Sequence, residues 1–189
     1  VTFTLPDLDT KIPVNIKFLV AARSTVNSDF NIYYDQEVVS HAVVTGIQAS
    51  STTVYARKSM DNDSFLADNG NIGLRIVYKA PTSTSFGWLN YIELNFIQDL
   101  NFRGNQLSFR NAAVTGRDRV GEFILTNSDS RTVIWEITKP GEVAEVLAQL
   151  QEDRLSFVLP VDSLRQFIAF NGSDFITPSF IKKMENQNL

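Results

Sequence analysis

Apolar and polar residues alternate with period two along much of the chain. In residues 11–21, Ile12, Val14, Ile16, Phe18 and Val20 fall on one face and Lys11, Asn15 and Lys17 on the other. That spacing predicts a half-buried strand, with Pro13 tolerable near its start or on an edge. Residues 71–79 repeat it, setting Ile72, Leu74, Ile76 and Tyr78 against Gly73, Arg75 and Lys79. Val133, Trp135 and Ile137 alternate with Glu136, and Leu155, Phe157 and Leu159 form a shorter run. Residues 88–97 differ in being apolar on both sides: Trp88, Ile92, Leu94 and Phe96 on one, Leu89, Tyr91 and Ile97 on the other. Such a strand suits the middle of a sandwich or an interface with another domain. Residues 30–34, 41–48 and 53–58 are further strand candidates, rich in β-branched and aromatic types.

Turn chemistry separates these runs. Asp68-Asn69-Gly70-Asn71, Arg103-Gly104-Asn105, Asn127-Ser128-Asp129 and Asn171-Gly172-Ser173 all contain residues that tolerate positive φ. Short strands between such turns predict a mainly all-β chain, an antiparallel β-sandwich of jelly-roll type. Helix is expected only in one or two short pieces. Residues 140–150 place Val143, Val146, Leu147 and Leu150 at helical spacing, with Thr138 as N-cap, and a turn is expected after Asp162 through Ser163-Leu164-Arg165. The expected organisation is one sandwich over residues 1–170, then a looser linker over 171–189.

Composition narrows the chemistry. The chain has 189 residues, enough for one domain to bury about 70% of its unfolded surface. Its net charge of −4 argues against a nucleic-acid binder, which usually carries a basic face. There is no cysteine and a single histidine, His41. Thiol catalysis, thiolate metal sites and disulfides are therefore excluded within the chain, and any Ser-His-Asp arrangement has to use His41. No apolar run approaches the length of a membrane span. The chain starts at Val1 without a signal-peptide pattern and stops at Leu189 without terminating logic, as expected of a piece cut from a longer polypeptide.

Few residues offer themselves as a site. His41 opens a strand-like run and has no nucleophile elbow to serve, so a strand-end histidine satisfied by a nearby carbonyl is the expectation. Asp61, Asp63 and Asp68 fall in an acidic stretch, 60–71, but counting from Asp61, Phe65 stands at the fifth position and no Glu at the twelfth, so the EF-hand pattern fails. Trp88, Tyr91 and Trp135 could be core or a sugar-stacking platform. Arg110, Arg117 and Arg119, near Asp118 and Glu122, read as a solvated, internally paired loop. No catalytic, cofactor or metal residue is assigned.

One resemblance runs through several segments in order. Gly87-Trp88-Leu89-Asn90-Tyr91-Ile92-Glu93-Leu94-Asn95 is followed by Leu100 and by Gln106-Leu107-Ser108-Phe109-Arg110. Then come Ile134-Trp135-Glu136-Ile137-Thr138, Pro140, Leu164-Arg165-Gln166-Phe167-Ile168-Ala169-Phe170, Gly172-Ser173, Thr177-Pro178 and Asn186-Gln187-Asn188-Leu189. This order, mainly over residues 87–189, resembles the region just upstream of the peptidase domain in the PorU-like sortases of the type IX secretion system of Bacteroidetes, a group of gingipain-like cysteine peptidases. The resemblance implies a non-catalytic β-sandwich accessory domain, since that family's cysteine and histidine lie beyond this segment. It implies a parent that removes carboxy-terminal sorting signals from secreted cargo through a thioester. The partners it implies are the downstream peptidase domain, secreted cargo or other secretion proteins, and the location is extracytoplasmic, at the outer membrane or cell surface. Trp88, Tyr91, Asn186, Gln187 and Asn188 are the candidate interdomain contacts. The alternatives are a carbohydrate-binding jelly roll of a secreted bacterial protein and a hydrolase built on His41.

Overall fold

Strand β2, Val14–Arg23, shows how alternation becomes architecture. In the computed structural model it buries Val14, Ile16, Phe18, Val20 and Ala22, each at most 2% exposed. Its other side chains point away from that core. The structure describes residues 1–48, 54–172, 175 and 177–183. They form two compact units, Val1–Asp99 and Leu100–Leu189, across the stretch expected as one sandwich with a linker.

The unit Val1–Asp99 holds β1 (Thr2–Thr4), β2, β3 (Ser28–Tyr34), β4 (Glu37–Val44), β5 (Arg57–Phe65), β6 (Asn71–Lys79) and β7 (Phe86–Asn95). One sheet has the order β1-β6-β3-β4 and the other β5-β2-β7, with every pairing antiparallel. The inward face of β2 meets Phe30 and Ile32 of β3, Ala42 and Val44 of β4, and Ile72 and Leu74 of β6. Gly87 on β7 is required by this core. A Cβ there would stand 2.7 Å from ring carbons of Tyr78 and 2.8 Å from Phe30 Cζ. Those two rings are themselves in contact, with centroids 4.7 Å apart. Gly87→Val is therefore expected to lower the unfolding free energy by about 1–3 kcal/mol through overpacking. A urea midpoint unchanged from wild type would show that the rings yield without cost.

The unit Leu100–Leu189 holds β8 (Gln106–Arg110), β9 (Val120–Leu125), β10 (Val133–Lys139), β11 (Glu142–Glu145), β12 (Gln149–Gln151), β13 (Arg154–Pro160) and β14 (Gln166–Phe170). Its sheets have the orders β11-β10-β14-β8 and β12-β13-β9. Four phenylalanines join them: Phe109 and Phe167 from the first sheet, Phe123 and Phe157 from the second, at most 6% exposed. Phe167 lies 5.1–5.3 Å from the other three ring centroids. The Phe123 and Phe157 rings are nearly parallel, 9° apart. At one end of the first sheet, Arg165 Nη1 donates to Glu136 Oε2 at 2.8 Å, and the Thr138 hydroxyl donates to Glu136 Oε1 at 2.9 Å.

The β-sandwich expectation is met, and the expected helices are corrected: the described residues contain none. Lys139 pairs with Glu142 across Pro140-Gly141, and Gly141 has φ +83°. Pro followed by a positive-φ Gly is a type II turn, so the helical spacing at 140–150 loses to a hairpin. Of the residues that made that spacing, Val143, Leu147 and Leu150 are exposed, Leu147 at 91%, and Val146 packs against the core. Thr138 caps no helix; its hydroxyl accepts from the Gln166 N–H at 3.1 Å. After Asp162 the chain stays irregular, with the Asp162 carboxylate accepting from the Asp118 N–H at 2.8 Å.

Candidate interaction surface

The sheet β5-β2-β7 turns one face to the core and the other outward. Register defines the outer face. Arg23 lies opposite Phe86, Ala21 opposite Trp88 and Lys58, Leu19 opposite Tyr91 and Met60, and Lys17 opposite Glu93 and Asn62. Phe86, Trp88, Tyr91 and Met60 are all at least 36% exposed. Phe86 and Trp88 lie nearly parallel, 23° apart with centroids 6.2 Å apart. Tyr55 extends the row to Trp88, and Arg23 covers the Tyr55 ring at 4.4 Å. The Tyr91 hydroxyl donates to the Met60 sulfur at 3.7 Å, across β2.

A β-bulge creates this row. Leu19 pairs with Tyr91 and Val20 with Leu89, which leaves Asn90 as the extra residue. The bulge shifts the parity of the strand by one, so Trp88 and Tyr91, three apart, share the outer face. Strict alternation had put them on opposite sides. Past the bulge, Ile92 and Leu94 pack against the core together with Phe96. The stretch read as apolar on both faces is thus a sheet-edge strand with an open outer face, not a strand enclosed within the sandwich. The chain's preference for Trp and Tyr at 88 and 91 was legible in the sequence. Phe86, Met60 and Tyr55 were missed. Phe86 carried a signal, two positions before Trp88; Met60 reaches the row only through pairing with β2.

The other candidates stand apart. His41 on β4 bonds Asp29 of β3, Nε2 to Oδ1 at 2.9 Å, with both side chains almost half exposed. Asp61 and Asp63 lie on β5 rather than in a loop, and the buried Ser40 hydroxyl donates to Asp63 Oδ2 at 2.6 Å. The Asp68 N–H donates to the Tyr34 hydroxyl at 3.2 Å. Among the described residues no group of three or more His, Asp or Glu is placed to hold a metal ion. Arg117 Nε and Asp118 Oδ2 are 3.6 Å apart and almost fully exposed, a solvated pair of little energetic weight. Trp135 lines a groove of about 340 Å³ with Gln106, Ile168 and Phe170. It meets Phe170 edge-on, at 77°, so these two rings form no flat platform. Asn186, Gln187 and Asn188 lie outside the described residues. No helix among the described residues is long and apolar enough to cross a membrane.

One turn carries a shifted carboxylate. Arg131 Nη2 donates to Asp129 Oδ2 at 2.7 Å and the Arg131 N–H to Oδ1 at 2.9 Å. The guanidinium first, then the backbone donor, hold the Asp129 carboxyl below its ordinary value. A depressed folded-state pKa means that this contact favours the folded chain above the unfolded pKa of about 3.9 and loses its effect as pH falls through the lower, folded value. An NMR titration is expected to place the Asp129 midpoint below that of a free aspartate, and Arg131→Ala to raise it. An unmoved midpoint would remove the guanidinium as the cause.

No protein-family model matches the chain, and neither does any curated protein sequence. The likeness is to solved structures. A crystal structure of dimeric latent PorU from Porphyromonas gingivalis superposes with a TM-score of 0.74 at 15% sequence identity. The match covers 90% of this chain and 17% of that one. The two share a fold over that stretch, and this chain spans about a sixth of the PorU chain's length.

Proposed function

We propose that this chain is a non-catalytic accessory β-module of a type IX secretion sortase related to PorU, acting at the cell surface by binding and positioning. The carrying observation is the fold match to PorU over 90% of this chain and only 17% of that one. It joins the ordered motifs over residues 87–189, and a chain without cysteine supplies no thiol nucleophile of its own. The exposed row with Trp88 and Tyr91 is the contact surface, and the tail residues Asn186, Gln187 and Asn188 lead toward the peptidase domain. The test is the parent reading frame. Beyond Leu189 it is expected to encode a gingipain-like domain with a cysteine and a histidine. The full-length product is expected to release a carboxy-terminal sorting signal from cargo, and alanine in place of that cysteine to abolish release. A frame with no peptidase module overturns the proposal.

A saccharide platform is the second reading, favoured by the near-parallel, exposed rings of Phe86 and Trp88. Calorimetry with a glycan panel tests it; heat of binding lost in Trp88→Ala would support it.

A further inference from the structure

We infer that β7 is a docking edge for an extended acidic polypeptide segment, which adds to the β5-β2-β7 sheet as a fourth strand. The inference rests on the reading of the β7 face as a contact surface and commits it to one partner chemistry.

Three observations carry it. The first is an open backbone edge. β7 spans ten residues, and the described residues pair it on one side only, with β2. At the opposite edge of the same sheet, β5 also has one paired neighbour but runs beside β4, to which it is tied by the Ser40–Asp63 bond, and the Arg57 guanidinium donates to the Thr45 hydroxyl just past β4 at 3.0 Å. The edge strand β1 has only three residues, and β7 is longer than any edge strand of the other unit. Exposed edges are normally shielded by Lys, Pro, bulges or extreme shortness. β7 contains no Lys, Arg or Pro, and its one shielding device is the bulge at Asn90, with four paired residues before it and five after it.

The second is the side-chain row. An added strand places alternate side chains beside Phe86, Trp88 and Tyr91, the arrangement by which strand addition gains specificity over its main-chain bonds. A glycan needs the rings but not the backbone edge.

The third is charge. The outer face of this sheet carries Lys17, Arg23 and Lys58 against the single carboxylate of Glu93, in a chain whose net charge is −4. Strands lie about 4.8 Å apart, so an added strand adjoins Glu93 on β7 and sits about 10 Å from the backbone of β2, which bears Lys17 and Arg23, a distance equal to the Debye length at about 0.1 M salt, while Lys58 on β5 is about 15 Å away and contributes less. A second copy docking face to face would oppose like charges, which disfavours self-association through this surface.

The test uses the 189-residue chain and fluorescein-labelled ten-residue peptides read by fluorescence anisotropy. A peptide of alternating Glu and Val is expected to bind at least about tenfold more tightly than its Lys–Val counterpart at low salt, and to weaken as salt rises. N-methylation at alternate residues, which removes donors from one peptide edge but keeps charge and shape, is expected to weaken it by about tenfold or more. Trp88→Ala with Tyr91→Ala, two exposed positions, is expected to weaken it similarly while leaving circular dichroism unchanged. Equal binding of the Glu and Lys peptides, indifference to N-methylation, glycan binding with no peptide binding, or self-association competing for the same edge would each overturn the inference. None of these readouts needs the parent peptidase, so a frame without that module would fail the functional proposal and leave this one standing.

Discussion

Phe167→Ala is expected to destabilise the unit Leu100–Leu189 by about 3–5 kcal/mol, the range for emptying a fully buried aromatic site. Phe167 is 0% exposed and touches Phe109, Phe123 and Phe157, so its ring is the common neighbour of both sheets. Removing it leaves a cavity bounded by three rings already packed against one another, at 5.1–6.5 Å between centroids. Those rings have little freedom to collapse inward, which puts the cost toward the upper part of the range. Each unit carries one of the chain's two tryptophans, Trp88 and Trp135. In a Trp88→Phe background, Trp135 fluorescence reports this unit, because Trp135 stands on β10 beside β14, the strand of Phe167. A guanidinium midpoint for that signal within error of the parent would show that the cluster is not the core.

Phe18→Ala is the matching experiment in Val1–Asp99, with an expected loss of about 3–5 kcal/mol. Phe18 is 0% exposed at the centre of β2, paired with Asp61 on one side and Ile92 on the other. Ile32 and Ile72 of the facing sheet are also fully buried in the same core. Shape-conserving Phe18→Leu is expected to recover much of the loss, because most of the volume returns. Trp88, opposite Ala21 on β2, reports the transition in a Trp135→Phe background. If alanine and leucine prove equally destabilising, ring volume is not what the site supplies.

Much of the sheet content was legible because water and backbone geometry act on single strands. The alternation at Val14, Ile16, Phe18 and Val20 appears unchanged in β2, and that at Ile72 and Leu74 in β6. What misled was periodicity without turn chemistry: Val143, Val146, Leu147 and Leu150 matched a helix until Pro140-Gly141 folded the chain back into a hairpin. The division into two cores was not legible, since nothing in local pattern says which strands share a sandwich. The contact surface was half legible. Trp88 and Tyr91 announced themselves by type, but one bulge residue, Asn90, decided their common face, and a bulge is invisible to any reading based on strict alternation.

The placement of β2 between β5 and β7 also fixes an order of events during synthesis. Phe18 waits for Asp61 and then for Ile92 before its strand is flanked on both sides. Until residue 95 has left the ribosome, one backbone edge of β2 lacks its partner strand. Long-range antiparallel topologies of this kind close in milliseconds to seconds. The emerging polypeptide therefore lacks its complete first sheet through that interval.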